Sequence, residues 1–183
     1  MLDIAKLSSI SSYAFTNNST LSNITSLGSK ITDIGDDAFT GSGIATILLP
    51  SSLTANTVDA GVGGYGLNKV EPLTSLSYED GIVRIAPSAM IDCRGFLSRI
   101  SLPATLQSIG DYAFAEIQDV FPRITNLNLS SATHLLSIGD YAFYNAVSSL
   151  AENKLVLPPS LTAIGEGAFA YNKYAYTQVV SSL

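Results

Sequence analysis

The chain has 183 residues, of which 46% are hydrophobic and 13% charged, so it has the length of one domain and can bury a large core. Nine Lys and Arg stand against fifteen Asp and Glu, and this net charge of -6 argues against nucleic acid as a partner, because phosphate binding needs a surplus of basic residues. No transmembrane segment is expected, since no apolar run reaches about 18 residues. The first ten residues also lack the apolar stretch of a signal peptide.

A six-residue phrase recurs along the chain. Its clearest form is Ile-Gly-Asp-Tyr-Ala-Phe, which occupies residues 109–114 and again 138–143. Six copies, some of them weaker, begin at isoleucines in positions 10, 34, 85, 109, 138 and 164, with steps of 24, 51, 24, 29 and 26 residues. Self-similarity at a period of about 20–50 residues predicts a stacked repeat architecture. The long step leaves room for one degenerate unit with an insert at 54–81.

A second phrase predicts a short strand in each unit. The pattern apolar-x-x-apolar-x-Leu-Pro occupies residues 44–50 and 97–103, and variants occupy 124–129 and 155–161. Its alternating apolar positions are typical of a strand with one buried face. The proline that follows lacks a backbone donor and is expected to end the strand.

The Ile-Gly phrase is predicted to form a turn followed by a short helical or 3-10 segment. Its glycine permits the bend. The acidic residue at its third position can accept hydrogen bonds from free N–H groups of a helical turn. A calcium ladder is the alternative for these acids, although calcium needs several oxygen ligands per ion. The four acids are Asp36, Asp111, Asp140 and Glu166.

Together the two phrases predict an α/β solenoid that forms a single domain over residues 1–183. We expect a right-handed coil of about 6–7 rungs, with a parallel β-sheet on one face and short helical or 3-10 segments on the other. One unit cannot bury its apolar side chains alone, so neighbouring units must cover them. Each buried Ile, Leu or Phe then contributes roughly 1.5–3 kcal/mol before chain entropy is counted.

The repeat resembles that of the BspA-like leucine-rich repeat family. The family unit reads L-x-x-I-G-x-x-A-F-x-x-C-x-x-L-x-x-I-x-L-P, and residues 82–103, with Ile85, Cys93 and Pro103 in their places, follow nearly all of it. The resemblance covers about residues 7–53 and 82–169. It implies a leucine-rich-repeat fold and a non-catalytic recognition or adhesion module, of a kind that is mostly secreted or surface-exposed in bacteria and some protozoa.

Nine residues are candidates for binding. Eight are residues predicted to point out of the sheet, because they alternate with the apolar positions of the strand phrases, and one is a tyrosine in the glycine-rich part of the insert. The alternative for the first eight is a solvated sheet face without a partner. The candidates are Thr46, Leu48, Tyr65, Arg99, Ser101, Asn126, Asn128, Lys154 and Val156.

No catalytic, cofactor or metal site is predicted, so we do not expect an enzyme. Residues 61–66 formally match G-x-G-x-x-G, but neither the required strand nor the required helix flanks them. His134 is the only histidine and is expected in a loop or at an edge. Cys93 is expected to be a small core residue, because free cysteine is among the most buried residue types.

The leading hypothesis is a module that binds a protein partner or a cell-surface ligand through the sheet face, the 54–81 insert, or both. The resemblance places such a module at the cell surface or outside the cell. The alternative is a structural building block of a large assembly, such as a virus or phage particle. The lack of a leader and the poorly capped tyrosine-rich end around Tyr171, Tyr174 and Tyr176 favour this alternative, with association through the solenoid ends.

Overall fold

The computed structural model describes residues 6–22, 24, 26–56, 67, 69–91, 93, 97, 99–116, 124, 127–147 and 155–172. Over these residues the chain winds as a parallel-strand solenoid of about five turns, so the predicted 6–7 rungs are not confirmed. In the described part of the chain, the paired strands are all parallel and join residues of neighbouring coils. No helix in the described ranges is long and apolar enough to cross a membrane.

The described strands are two to four residues long, and one 3-10 helix covers Ser51–Asn56. In chain order the strands are β1 Ser9–Ile10, β2 Asp33–Ile34, β3 Thr46–Leu49, β4 Ser75–Tyr78, β5 Arg84–Ile85, β6 Arg99–Ser101, β7 Ser108–Ile109, β8 Ser137–Ile138 and β9 Ala163–Ile164. They form one ladder of β1 and β2, a second in the order β3-β4-β6, and a third in the order β5-β7-β8-β9. Each coil can therefore contribute one strand to each of two flanks.

The isoleucines that open the repeated phrases lie in register. Ile85, Ile109 and Ile138 occupy equivalent places in the β5-β7-β8-β9 ladder and are at most 2% exposed. Ile164 continues the same register in β9, where its side chain is 44% exposed. The phrase thus begins with the end of a strand, because its isoleucine points into the core that the coils share.

The β3-β4-β6 ladder carries the second phrase. Ile47, Leu76 and Ile100 are paired in register and buried, as the alternating pattern predicts. β4 lies within the 54–81 segment, which was expected to be degenerate. It still supplies a full strand to the ladder, with Tyr78 in the place that leucine takes in the other copies.

The predicted helical face is not confirmed. In the described residues, the positions after each phrase glycine form consecutive turns instead. The fourth residue of the phrase has a left-handed backbone, with φ of 55° at Tyr112 and 53° at Tyr141. The backbone N–H of Tyr112 donates to the Asp140 carbonyl at 2.9 Å, and that of Phe114 to the Ala142 carbonyl at 2.8 Å. A helix would satisfy these groups within one segment, whereas here they link neighbouring coils.

The phenylalanines of the phrases stack in the core. The ring centroids of Phe114 and Phe143 lie 5.0 Å apart, and those of Phe143 and Phe169 lie 5.3 Å apart, with nearly parallel planes. Phe15 and Phe39 form a second stack at 5.4 Å. Stacking at this separation combines burial with a favourable aromatic geometry, so the stacked rings help to hold these neighbouring coils together.

The phrase glycine has a different role from the bend that the sequence indicated. Gly110 and Gly139 do not have positive φ. A Cβ at Gly139 would lie 2.7 Å from the backbone nitrogen of Asp111, and one at Gly110 would clash with the backbone nitrogen of Pro87. Glycine is needed here because the backbone of the preceding coil passes too close for any side chain.

Candidate binding surface

The outward residues of β3, β4 and β6 form two rows across the three paired strands. Register places Thr46, Ser75 and Arg99 side by side in one row. Leu48, Ser77 and Ser101 form the second row. We call these six residues the sheet face.

The side chains of the sheet face are mostly small and polar. Thr46, Arg99 and Ser101 are exposed, whereas Leu48 and the two serines of β4 are half-buried. Neighbouring strands lie about 4.8 Å apart, so adjacent side chains of one row can contact the same partner group. Hydroxyl groups can both donate and accept hydrogen bonds, and Arg99 adds a planar cation with several donors. Such a surface is suited to a protein partner with polar groups and at least one carboxylate.

Four of the nine sequence candidates therefore meet on one surface, namely Thr46, Leu48, Arg99 and Ser101. Asn128 is exposed between buried Leu127 and Leu129, and its Oδ1 accepts the Ser130 backbone N–H at 2.9 Å. Val156 is 48% exposed. Both keep the predicted alternation but lie outside the described strands. The remaining candidates lie outside the described residues and stay predictions: Tyr65, Asn126 and Lys154.

Two residues of this surface, Ser75 and Ser77, were missed by sequence reasoning. They lie on β4, between the strands that carry Thr46 and Arg99. The signal was present, because Leu73-x-x-Leu76-x-Tyr78 has the spacing of the strand phrase. It was hidden because Tyr78 and Glu79 replace the usual Leu-Pro pair.

The repeated acids bind the backbone of the neighbouring coil. Asp111 Oδ1 accepts the backbone N–H of Asp140 at 2.8 Å, and Asp140 Oδ1 accepts that of Glu166 at 2.7 Å. These carboxylates satisfy N–H groups as predicted, but in the next coil and not in a helical turn. In the described ranges, no three His, Cys, Asp or Glu side chains are grouped as metal ligands.

The consecutive turns that follow each phrase glycine lie on one side of the solenoid, which we call the turn side. Four tyrosines form a continuous row on this side in the last three described coils. Tyr112 stacks on Tyr141 with centroids 5.2 Å apart, Tyr141 meets the edge of Tyr144 at 5.9 Å, and Tyr144 meets Tyr171 at 5.0 Å. The Tyr141 hydroxyl donates to Glu166 Oε1 at 3.0 Å. This hydrogen bond, together with the negative charge of Glu166, raises the pKa of Tyr141 above its usual 10.0. We call these four residues the tyrosine row.

The residues with nucleophilic or acid–base chemistry occupy structural places. Cys93 is buried in the core, as predicted. His134 is exposed in a turn, and its Nδ1 lies 2.8 Å from the carbonyl oxygen of Ala104 in the preceding coil. The hydrogen bond at this distance requires a proton on Nδ1, since a carbonyl can only accept.

The comparisons with known proteins agree with this architecture. The sequence model of one family, described as BspA type leucine rich repeat region, matches residues 2–60 and 61–183 with six copies. A solved leucine-rich repeat protein from Bacteroides ovatus aligns with a TM-score of 0.56 at 19% identity, over 90% of this chain and 44% of its own. The chain thus spans less than half of that protein, and a likeness at this identity concerns the fold. No curated protein matches the chain.

Proposed function

The chain belongs to the BspA-type leucine-rich repeat family, and we propose that it is a non-catalytic module that binds a protein partner through the sheet face. Leucine-rich repeat folds generally serve protein–protein interaction, and this family is typically non-catalytic. Extended repeat surfaces suit this use, since each coil adds one strip of contact area.

The observation that carries the proposal is the contrast between the two sides of β3, β4 and β6. The inward residues of the central row are all large and aliphatic, namely Ile47, Leu76 and Ile100. The outward row beside them holds Thr46, Ser75 and Arg99, which differ in size, charge and hydrogen-bonding capacity. Packing constrains the first set, whereas the second set is available to a partner. Arginine is enriched among the residues that contribute most to binding energy, and serine side chains supply adaptable hydrogen bonds.

The remaining features of the proposal follow the family. We propose that residues 1–183 act as one repeat domain and that the module works at a cell surface or outside the cell, in recognition or adhesion. BspA-like leucine-rich repeat proteins are often surface-associated, which supports this location. The sequence candidates on the 54–81 insert and on the later strand phrases would extend the same contact.

The test uses the full chain and an array of purified extracellular protein domains. For any domain that binds, we expect Ser77→Arg to abolish binding, because Ser77 lies on the central strand of the sheet face. Arg99→Glu should weaken binding at least about tenfold, because it reverses the one charge of the sheet face. Ser9→Arg is the matched control, since Ser9 is an outward strand residue of a different ladder. Binding that survives both sheet-face variants, or that Ser9→Arg weakens equally, would refute the assignment of this face.

A building block of a large assembly is the second candidate. Ile164, in the last described strand, is 44% exposed, against 2% for the equivalent Ile138. Exposed apolar side chains at the last described strand can be covered by another subunit. Sedimentation at micromolar concentration distinguishes the candidates: a monomer favours the binding module, and an obligate multimer that Ile164→Ser converts to a monomer favours the assembly role.

A further inference from the structure

The tyrosine row is a preorganised aromatic surface. Its ring contacts run without interruption from Tyr112 through Tyr141 and Tyr144 to Tyr171. Tyr112 and Tyr171, at its two ends, are 36% and 75% exposed. Because the inner rings already restrain one another, little side-chain freedom remains to be lost when a partner binds.

The fold does not require these rings. In other coils the position of Tyr112 and Tyr141 in the phrase is occupied by Asp37, Ser88 and Gly167. All of these residues share the left-handed backbone of the position, so it is the backbone conformation that the turn needs. The row is completed by Tyr144, a second tyrosine in the coil of Tyr141, and by Tyr171 in the next coil. The winding of one coil onto the next does not explain this aromatic surface.

The surroundings of the row are acidic. Segments 108–116, 137–147 and 163–172 contain no Lys or Arg, and three of their four Asp and Glu lie at the surface. Asp111 and Asp140 directly precede the stacked tyrosines in sequence, and Glu166 binds the Tyr141 hydroxyl. Asp111, Asp140 and Glu166 are all exposed. Each carboxylate has a second oxygen and further lone pairs beyond the single hydrogen bond described, so each can still accept from a cation.

We propose that the tyrosine row is a docking site for a basic segment of a partner protein. Its Lys or Arg side chains would lie against the tyrosine rings and pair with the carboxylates of Asp111, Asp140 and Glu166. The charge of the site and the affinity of cations for aromatic rings both favour this occupant. The site lies on the turn side of the solenoid and goes beyond the proposed function of the sheet face, which can fail or hold independently.

The test titrates the full chain with a short peptide of alternating Arg and Gly at about 0.15 M salt, where non-specific attraction to the net negative charge is screened beyond about 8 Å. The double variant Tyr112→Asn with Tyr171→Asn should weaken binding about tenfold. Tyr13→Asn is the matched control, because Tyr13 has the same phrase position, is 64% exposed and lies at the other end of the solenoid. Asparagine tolerates the left-handed backbone at all three positions, and none of the changes alters charge.

A second measurement does not depend on variants. With tyrosine rings isotopically labelled in the unmodified chain, the peptide should shift the ring resonances of the tyrosine row and leave those of Tyr13 and Tyr78 in place. Equal binding by the double variant, equal binding of a Glu–Gly peptide, or equal shifts at Tyr13 would overturn the proposal. Shifts of the row caused by a soluble oligosaccharide, with none caused by the Arg–Gly peptide, would overturn it as well.

Discussion

The sheet face and the turn side of the same solenoid differ in what their residues contact. On the turn side, Asp111 recurs as Asp140 and Asp140 as Glu166, and each aspartate accepts the backbone N–H of its equivalent in the next coil. On the sheet face, the row of Thr46, Ser75 and Arg99 holds three unlike residues at equivalent positions of neighbouring strands. Repetition therefore marks the positions where coils hold one another.

The same contrast separates two kinds of surface chemistry. The repeated acids on the turn side look like surface charges but act as acceptors for the backbone of the next coil. The varied side chains of the sheet face are not needed to join neighbouring coils, so they can be substituted without loss of the fold. Substitutions of the turn-side acids should therefore change stability, whereas substitutions on the sheet face should change binding.

The largest effect is expected in the core that both sides share. Ile109→Asn should lower the free energy of unfolding by about 3–5 kcal/mol, because it removes a side chain that is 1% exposed and buries an amide in its place. Ser101→Ala, on the sheet face, should change it by less than about 0.5 kcal/mol. Urea unfolding followed by circular dichroism measures both. Equal losses in the two variants would invalidate the inside–outside assignment.

The next effect concerns the close approach of coils. Gly139→Ala should cost about 1–3 kcal/mol, because the added Cβ would be forced against the Asp111 backbone and the coils would have to separate. The cost would be absent if the glycine served only to bend the chain, since its φ is compatible with alanine. Ser137→Ala in the same coil is the control, and a thermal melt of each variant gives the comparison.

A smaller effect is expected for the carboxylate bond between coils. Asp111→Ala should cost about 1 kcal/mol, because the Asp140 N–H loses its acceptor. Asp111→Asn keeps an oxygen in the same place and should recover most of the loss. If alanine and asparagine prove equally stable, or equally unstable, the carboxylate does not hold the coils in the way described here.

The smallest effect is a pH dependence on the turn side. The bond from Tyr141 to Glu166 requires a protonated tyrosine, and the pKa of Tyr141 is raised above the value of about 10 expected in the unfolded chain. Its contribution is therefore fully present below pH about 10 and is lost as pH rises through the raised pKa. Melting temperatures of the unmodified chain and of Tyr141→Phe should differ slightly at neutral pH and converge in strong alkali. If the unmodified chain became more stable than Tyr141→Phe as the pH rises, the predicted pH dependence of this hydrogen bond would be contradicted.

The sequence predicted the parallel strands, the buried isoleucines and the family, because the same apolar positions recur in copy after copy. It predicted a turn after each phrase glycine, but a short helical segment where the structure has consecutive turns. The pattern Ile-Gly-Asp-Tyr-Ala-Phe is compatible with a helical turn, and only the left-handed backbone at Tyr112 and Tyr141 directs the N–H groups to the next coil. Likewise, the sequence did not predict β4, because Tyr78 stands where the strand phrase usually has leucine. Contacts between coils depend on the register of distant segments, which no single unit of sequence reveals.

The stacking of coils is tested most directly by amide hydrogen exchange in Asp111→Ala. The Asp140 amide, 29 residues away, should exchange at least about tenfold faster than in the unmodified chain, because its acceptor belongs to the neighbouring coil. The Glu166 amide, whose acceptor Asp140 is unchanged, should keep its rate. An unchanged rate at Asp140 would contradict the bonding of coil to coil on which this description of the protein rests.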